Sequence, residues 1–442
     1  MNVRHIAGFR LRLTIGLSRG LFPGLSLPRM LASLVTAVLA TMVVISLLAS
    51  GGHDRLRSSV AVPVADASQG GCSPNSRPLD IRRADSALKA TRTALDHVLD
   101  AALRAARSRA RAPAVTAAVV LCGRVVWADA TGVLDLGSHR PTTNSSLFVL
   151  NSAAKTYVAT MVMQEIQRGR LSLDTRLSQF YPWLPNARQI TVRMLLNMTS
   201  GLPDYLNNPR IRWTIDHRPR HHWTVDQVLT GLGTGLGPAT FPPGRRYQYS
   251  DTNYIVLGAI LDRVTHRSLE HDFQQMIAQP LGITSATWVP SPAAEAGVAH
   301  PYLRSQSGPL TSQWIPGYGV SSAVWGPVFT DGGLASSSLD MAWFANALLG
   351  GRLVSPAAVS QMAHIGRGGY GFGLRDRSFD GHYWLGHRGY FGGFAAEDWT
   401  DPTRQLTIAV ATNLEITGGQ PISTPVWGAI AQAYDHTGTG AG

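Results

Sequence analysis

Residues 148–155 read Phe-Val-Leu-Asn-Ser-Ala-Ala-Lys, an apolar run that enters a Ser-x-x-Lys step. Positions three apart lie on the same face of a helix, so this spacing sets the Ser152 hydroxyl beside the Lys155 amine. An adjacent base is what activates a weak serine nucleophile. Of the 39 Lys and Arg residues in the chain, only Lys89 and Lys155 are lysine. Because arginine stays protonated in proteins and a desolvated lysine can lose its proton, each lysine is a candidate base.

The same spacing occurs at Ser86 and Lys89, so it does not identify a nucleophile by itself. Ser86 lies in a polar segment ahead of a long amphipathic stretch, which is typical of a helix N-cap with a solvated lysine nearby. Ser152 follows a predicted strand pair and begins a helix with a strongly apolar face. A helix start inside a core supplies backbone N–H groups and a positive dipole end. We therefore assign Ser152 as the nucleophile.

The order of the predicted elements indicates a sheet assembled from both ends of the chain. Helices are predicted over residues 86–107 and 339–349 and up to Tyr434, and strands over 114–122, 125–131, 370–375, 383–388, 393–399 and 405–413. The residues between the two groups of strands are mostly turns and short helices. This order predicts an α/β (α+β) fold with an inserted second lobe, and the cleft between the lobes is the expected place for a site.

The positive charge is concentrated ahead of the predicted domain. Residues 1–112 carry a net charge of +10, and the remainder carries only +2. With no basic cluster on a domain face and no recognisable motif, nucleic-acid binding is not expected. Residues 1–29 contain five arginines and no acid, and residues 30–49 form a charge-free apolar run long enough to span a bilayer.

The N-terminal segments predict that the folded domain lies outside the cytoplasm. By the positive-inside rule, residues 1–29 form a cytoplasmic tail and residues 30–49 a transmembrane anchor. An anchor is favoured over a cleaved signal, which would give a secreted protein, because the run is longer than a usual signal core. Residues 50–84 are rich in Gly, Ser, Ala and Pro and are interpreted as a flexible linker. Residues 85–442 form the folded domain.

The chain has two cysteines, Cys72 and Cys122. They can pair in an oxidising compartment, but a buried free thiol at Cys122 fits its apolar strand equally well. They are too few and too poorly spaced for a metal site, and His221 and His222 lack matching ligands. We predict no metal and no cofactor.

Two later segments have the composition of an acyl-transfer site. Tyr249, Ser250 and Asp251 precede an apolar helix, and a tyrosine beside a lysine is expected to have a lowered phenol pKa and to relay protons. His387, Arg388 and Gly389 begin a glycine-rich segment that lets a ligand approach the backbone, where a histidine can donate to a carboxylate or carbonyl.

Ser152-x-x-Lys155, Tyr249-Ser250-Asp251 and His387-Arg388-Gly389 occur in the order and spacing of the class C β-lactamase and serine D,D-peptidase superfamily, which includes penicillin-binding proteins, esterases and D-amino-acid peptidases. The chain resembles this family from about residue 85 to residue 434. The resemblance implies a β-lactamase/transpeptidase-like fold, with an antiparallel sheet flanked by helices and an inserted, mainly helical lobe.

The resemblance also implies roles for individual residues. Ser152 would be acylated, and Lys155 and Tyr249 would share the proton transfers. The backbone N–H groups of Ser152 and Tyr390 would form the oxyanion hole, next to Gly389. His387 would help to bind the substrate carboxylate or carbonyl.

Two positions depart from the family pattern. Asp251 stands where the family usually has Asn, and an anion there would favour protonated Lys155 and make it an electrostatic partner of Tyr249. Asp251 also removes an amide donor that the family uses for peptide-like substrates. Arg388 stands where the penicillin-recognising members carry Thr or Ser; it would clamp a carboxylate if its side chain pointed into the cleft.

The sequence therefore predicts a serine hydrolase that acts through an acyl-Ser152 intermediate on D-alanyl peptides, with related esters, amides or β-lactams as other small-molecule or peptide substrates. Because His387 stands where true class C β-lactamases have lysine, slow acylation or ester cleavage is expected rather than efficient β-lactam hydrolysis. The rivals are a carboxylesterase on the same scaffold and a binding module that has lost turnover, for which Asp251 and Arg388 are the motivation.

Overall fold

The computed structural model describes residues 93–438 except 219, 290–296, 307, 316–318 and 321–328. The strands are β1 (Ala114–Leu121), β2 (Arg124–Gly132), β3 (Phe148–Val149), β4 (Thr287–Trp288), β5 (Tyr302–Ser305), β6 (Leu310–Ser312), β7 (Trp314–Ile315), β8 (Gly319–Val320), β9 (Leu334–Ser336), β10 (Arg375–Phe379), β11 (His382–Phe391), β12 (Phe394–Asp401), β13 (Leu406–Thr412) and β14 (Leu414–Thr417).

The α-helices are α1 (Ala94–Ala110), α2 (Ala154–Gln167), α3 (Val192–Leu196), α4 (Pro209–His217), α5 (Val225–Leu229), α6 (Thr252–Thr265), α7 (Leu269–Phe273), α8 (Gln279–Leu281), α9 (Phe329–Gly332), α10 (Ser338–Leu349), α11 (Pro356–Met362) and α12 (Ser423–Gly438). Short 3-10 turns lie at Asn151–Ala153, just before α2, and at Tyr205–Asn207, just before α4.

A six-stranded antiparallel sheet forms the base of the molecule, in the order β10-β11-β12-β13-β1-β2. The N-terminal hairpin pairs with the C-terminal strands through β1 and β13, as the element order predicts. Helices α1 and α12 cover one face of the sheet through residues such as Leu103 and Trp427. The other face packs against α2 and α10. Both faces are therefore covered, which explains the continuous apolar run in β1.

Local signals account for the ends of several elements. Thr93 caps α1 and exchanges hydrogen bonds with Asp96, a capping box. Cys122 and Gly123 both have positive φ, which suits the tight turn between β1 and β2. The backbone N–H of Thr403 donates to Asp401 Oδ1 at 2.8 Å in the turn between β12 and β13.

Several predicted bounds need correction. Helix α1 begins at Ala94 and runs to Ala110, so Ser86 is not its cap; that residue lies outside the described part of the chain. Residues 370–374 precede the strand predicted there, because β10 begins at Arg375 and its pairing with β11 starts opposite Gly386. Cys122 lies in the turn after β1 and is disulfide-bonded, which excludes the free thiol. Cys72 lies outside the described residues.

No helix within the described ranges is long and apolar enough to cross a membrane. The basic tail, the predicted anchor at residues 30–49 and the linker at residues 50–84 all lie outside those ranges.

Candidate active site

The predicted nucleophile lies in a turn between β3 and α2. Asn151 has a left-handed φ of 53°, unusual for a residue other than glycine, and its side-chain amide donates to the Phe394 carbonyl at 3.3 Å. This turn presents Ser152 at the start of α2. Strand β11 passes close to it: a Cβ at Gly389 would lie 2.4 Å from the Ser152 nitrogen and 2.2 Å from the Leu150 oxygen. Only glycine fits there.

Lys155 is completely buried one helical turn beyond Ser152. Its Nζ lies 3.1 Å from Ser152 Oγ, 2.7 Å from Asp251 Oδ1 and 2.5 Å from the Asp331 backbone oxygen. Burial alone lowers the pKa of Lys155. The charge of Asp251, with contributions from Tyr249 and Asp331, outweighs that effect, so the pKa lies above its ordinary value. Lys155 is therefore a cation in the resting site.

Tyr249 lies above the lysine, with its ring centre 5.3 Å from Lys155 Nζ. Its hydroxyl is buried beside Ser152 and makes no well-formed hydrogen bond to a described residue. Burial raises the pKa of Tyr249 to about 12, and Asp251 adds to this, although Lys155 and Ser152 oppose it. The expectation of a lowered phenol pKa is wrong, because the desolvation of the ring outweighs the neighbouring cation.

Two further carboxyl groups surround this cluster. Asp204 accepts the backbone N–H of Asp251 on Oδ2 at 3.1 Å and that of Leu206 on Oδ1 at 2.9 Å. Burial and the charge of Asp251 raise the pKa of Asp204 to about 6. Asp331 is buried and accepts from the Tyr205 hydroxyl at 3.2 Å, and burial raises its pKa well above the usual range. The site thus holds more acidic groups than cations around Lys155.

A cleft of about 300 Å³ opens above Ser152. Its walls comprise Asn151, Ser152, Leu206, Tyr249, Asp251, Asp331, Gly332, Arg375, His387, Arg388, Gly389, Tyr390 and Phe391. The structure therefore brings together every predicted site residue: all but Lys155 line the cleft, and Lys155 lies directly beneath Ser152.

His387 is buried and both of its ring nitrogens have protein partners. Nε2 lies 3.1 Å from the Tyr370 hydroxyl, and Nδ1 lies 2.8 Å from the Arg388 carbonyl oxygen. Burial and the charges of Arg375 and Lys155 lower the pKa of His387 well below its ordinary value. A neutral ring then donates from Nδ1 to the carbonyl and accepts from the tyrosine, which leaves neither nitrogen free for a substrate.

Two arginines reach the cleft from neighbouring strands. The Arg375 guanidinium carbon lies 5.1 Å from the ring centre of Tyr249 and 5.2 Å from that of Tyr370. Cross-strand partners share a face of a sheet, so Arg388 lies on the same face as its partner Glu397, which pairs with Arg377. That face is opposite to the one carrying His387. Arg375 and Arg388 both line the cleft, and the Arg375 guanidinium is the one that packs against the rings of Tyr249 and Tyr370.

Sequence reasoning missed Asp204, Asp331 and Arg375. Asp204 lies in the turn that follows α3, and its carboxylate accepts the backbone N–H of Asp251. The available signal was a carboxylate directly after a Gly-Leu-Pro turn, which by itself is equally typical of a helix cap.

The sequence pattern of a family described as Beta-lactamase matches residues 99–431. The chain belongs to the Beta-lactamase family. Esterase EstB of Burkholderia gladioli is 31% identical over 233 residues, which cover 49% of this chain and 56% of the esterase. Penicillin-binding protein 4* of Bacillus subtilis (strain 168) is 27% identical over 162 residues, which cover 36% of this chain and 35% of that protein. The chain thus spans little more than half of one relative and about a third of the other.

The fold of this β-lactamase family member matches a crystal structure of the D-amino acid amidase from Ochrobactrum anthropi SV3 complexed with L-phenylalanine amide. The TM-score is 0.66 at 22% identity, and the match covers 78% of this chain and 99% of the amidase. The predicted antiparallel sheet with flanking helices is confirmed. The chain has the β-lactamase fold, and its relatives include an esterase and a penicillin-binding protein.

Proposed function

We propose that the chain is an extracytoplasmic, D,D-carboxypeptidase-like enzyme whose Ser152 is acylated by D-alanyl peptides and by penicillins. In this proposal Ser152 Oγ attacks the carbonyl carbon, and the backbone N–H groups of Ser152 and Tyr390 stabilise the oxyanion. The close approach of β11 to the Ser152 nitrogen at Gly389 supports this pairing. Membrane attachment through residues 30–49 belongs to the same proposal.

The substrate class is inferred from the positive charge of Arg375 at the cleft. In the described part of the chain no carboxylate lies within ion-pair distance of its guanidinium, whereas Arg377 on the same strand is paired with Glu397 at 3.3 Å. A half-buried guanidinium without a counter-charge favours an anionic ligand, and a carboxylate fits its planar donors. The free C-terminal carboxylate of a D-alanyl peptide supplies that group.

A pair of peptides tests this proposal. A peptide ending in D-Ala-D-Ala with a free carboxylate is compared with its C-terminal amide, using wild-type enzyme and Arg375→Gln. We expect the wild type to prefer the carboxylate peptide by about 10- to 100-fold in kcat/KM, the range for a charge-assisted hydrogen bond, and Arg375→Gln to lose most of that preference. Equal cleavage of the two peptides by the wild type would contradict the carboxypeptidase proposal.

A carboxylesterase is the second candidate. The apolar side chains of Leu206, Tyr390 and Phe391 line the cleft and favour an uncharged acyl or alkoxy group. The similarity to Esterase EstB points the same way. Rapid Ser152-dependent cleavage of neutral esters, together with no cleavage of either peptide, would favour this candidate.

A further inference from the structure

The contacts of Lys155 limit where a proton can go. To take the proton of the Ser152 hydroxyl, the buried ammonium must first give up one of its own. Its three neighbours are the Ser152 hydroxyl, the Asp331 backbone carbonyl and the Asp251 carboxylate. The hydroxyl is the proton source, and an amide carbonyl is too weak a base to hold a proton at neutral pH. Only the Asp251 carboxylate remains.

Tyr249 does not offer an alternative route in the resting site. Its phenol is buried and its pKa is raised to about 12, so it carries its proton at neutral pH. Lys155 is also protonated there, because Asp251 lies 2.7 Å from Nζ. A site in which both expected bases hold their protons needs another acceptor in direct contact.

We propose that Asp251 is the proton acceptor for Lys155, and that Asp204 is a positioning residue that holds Asp251 against the lysine. The inference rests on the proposed acylation of Ser152. As the bond between Ser152 Oγ and the substrate carbonyl carbon forms, the hydroxyl proton passes to Lys155 Nζ, and one ammonium proton passes to Asp251 Oδ1. The carbonyl π electrons move onto the oxyanion. When the intermediate collapses, the bond to the leaving group breaks and the proton stored on Asp251 returns through Lys155 to the leaving group.

Asp204 fixes the position of the Asp251 backbone relative to Lys155. One of its carboxylate oxygens holds the Asp251 backbone N–H, and the other holds the Leu206 N–H at the start of the 3-10 turn Tyr205–Asn207. The Asp251 backbone therefore cannot swing away from Lys155 without breaking a buried charge-assisted hydrogen bond. The other titratable groups that face Lys155 and Asp251 are Tyr205, Tyr249, Tyr254, Asp331, Arg375 and His387.

The pH profile of acylation tests the proposal. The acylation rate of the full chain with an activated ester or a penicillin is measured from pH 5 to 10 for the wild type and Asp251→Asn. Without its acceptor, Lys155 must release its proton to solvent. Asp251→Asn also removes the charge that raises the Lys155 pKa, so its rate should follow the neutral amine. We expect the wild-type rate to be flat once Asp251 is ionised, and the Asp251→Asn rate to rise about tenfold per pH unit until Lys155 loses its proton and then to level off. Asp174→Asn, which removes an acid whose side chain is 82% exposed, is the control and should match the wild type.

A proton inventory in mixtures of H₂O and D₂O gives a second readout that a structural role would not change. Two protons move together in the wild type, so a plot of the rate against the deuterium fraction of the solvent should be curved. In Asp251→Asn one proton moves and the dependence should become linear. Asp204→Asn keeps one acceptor oxygen and should lower the acylation rate about tenfold, with a curved inventory retained.

The outcomes separate this inference from the proposed function. A wild-type chain that shows no Ser152-dependent acylation would overturn both. If the wild type is acylated and Asp251→Asn has the same rate and profile, or is slower by one constant factor at every pH, only the role of Asp251 is overturned. If the Asp251→Asn protein does not fold, the proton inventory of the wild type is the test. A linear dependence of its rate on the deuterium fraction would overturn the proposal.

Discussion

The buried carboxyl group of Asp398 predicts how the free energy of unfolding changes with pH, and its surroundings set the size of that change. It lies on β12 opposite His387, is 1% exposed, and neither carboxyl oxygen makes a well-formed hydrogen bond to a described residue. Burial raises the pKa of Asp398 from 3.8 to about 8, and the backbone N–H of His387 opposes this only in part. The group is therefore a neutral carboxylic acid in the folded protein at neutral pH.

The sign of the effect follows from proton uptake on folding. Between pH 3.8 and about 8 the carboxyl is ionised in the unfolded chain and protonated in the folded one. Folding then takes up a proton, so stability decreases as pH rises through that window, by about 1.4 kcal/mol per pH unit. Between pH 5 and 7 this group alone lowers the free energy of unfolding by roughly 3 kcal/mol.

The perturbation is Asp398→Asn, which keeps the shape and removes the titration. We expect the free energy of unfolding of the variant, relative to the wild type, to rise by roughly 3 kcal/mol from pH 5 to 7, measured by denaturant unfolding at both values. Asp380→Asn, at an exposed turn residue, is the matched control and should show no such change. A difference between Asp398→Asn and wild type that is the same at pH 5 and 7 would refute the reasoning.

Two predictions concern the acylation machinery. Lys155→Arg keeps the positive charge beside Asp251 but cannot give up a proton, so acylation should fall at least 1,000-fold, followed as adduct formation by mass spectrometry; a rate within tenfold of the wild type would contradict proton transfer through this position. Gly389→Ala would set a methyl group 2.4 Å from the Ser152 nitrogen, so β11 must move away from the nucleophile turn. We expect kcat to fall about 100-fold and the free energy of unfolding to fall by about 1–3 kcal/mol, measured by steady-state kinetics and denaturant unfolding; unchanged kcat would argue against an oxyanion hole between these strands.

The sheet was largely predictable because its signals are local. Apolar strands joined by tight turns predict the β1–β2 and β12–β13 hairpins, and both are present. The Ser-x-x-Lys spacing predicts the contact between Ser152 and Lys155, because one helical turn fixes it. The bounds of β10 were wrong because its first residues follow a glycine-rich turn whose path depends on packing against α2.

The electrostatics of the site were less predictable, because they depend on contacts between residues far apart in the chain. Asp204 and Asp251 are 47 residues apart in the chain, and no local sequence pattern predicts their hydrogen bond. Pairwise reasoning from Lys155 gave the wrong direction for the pKa of Tyr249, since burial is the larger influence and cannot be read from sequence. In the sequence Arg375 is an ordinary strand residue. Its place at the cleft depends on contacts with the rings of Tyr249 and Tyr370, which lie in other parts of the fold.

Acylation of Ser152 is the central claim, and one measurement tests it directly. The full chain is incubated with benzylpenicillin beside Ser152→Ala, and the intact masses and the modified peptide are determined by mass spectrometry. We predict an adduct equal to the mass of the penicillin on the peptide that contains Ser152, present in the wild type and absent from the variant. An adduct on another residue, or hydrolysis of penicillin or ester that persists undiminished in Ser152→Ala, would contradict the account.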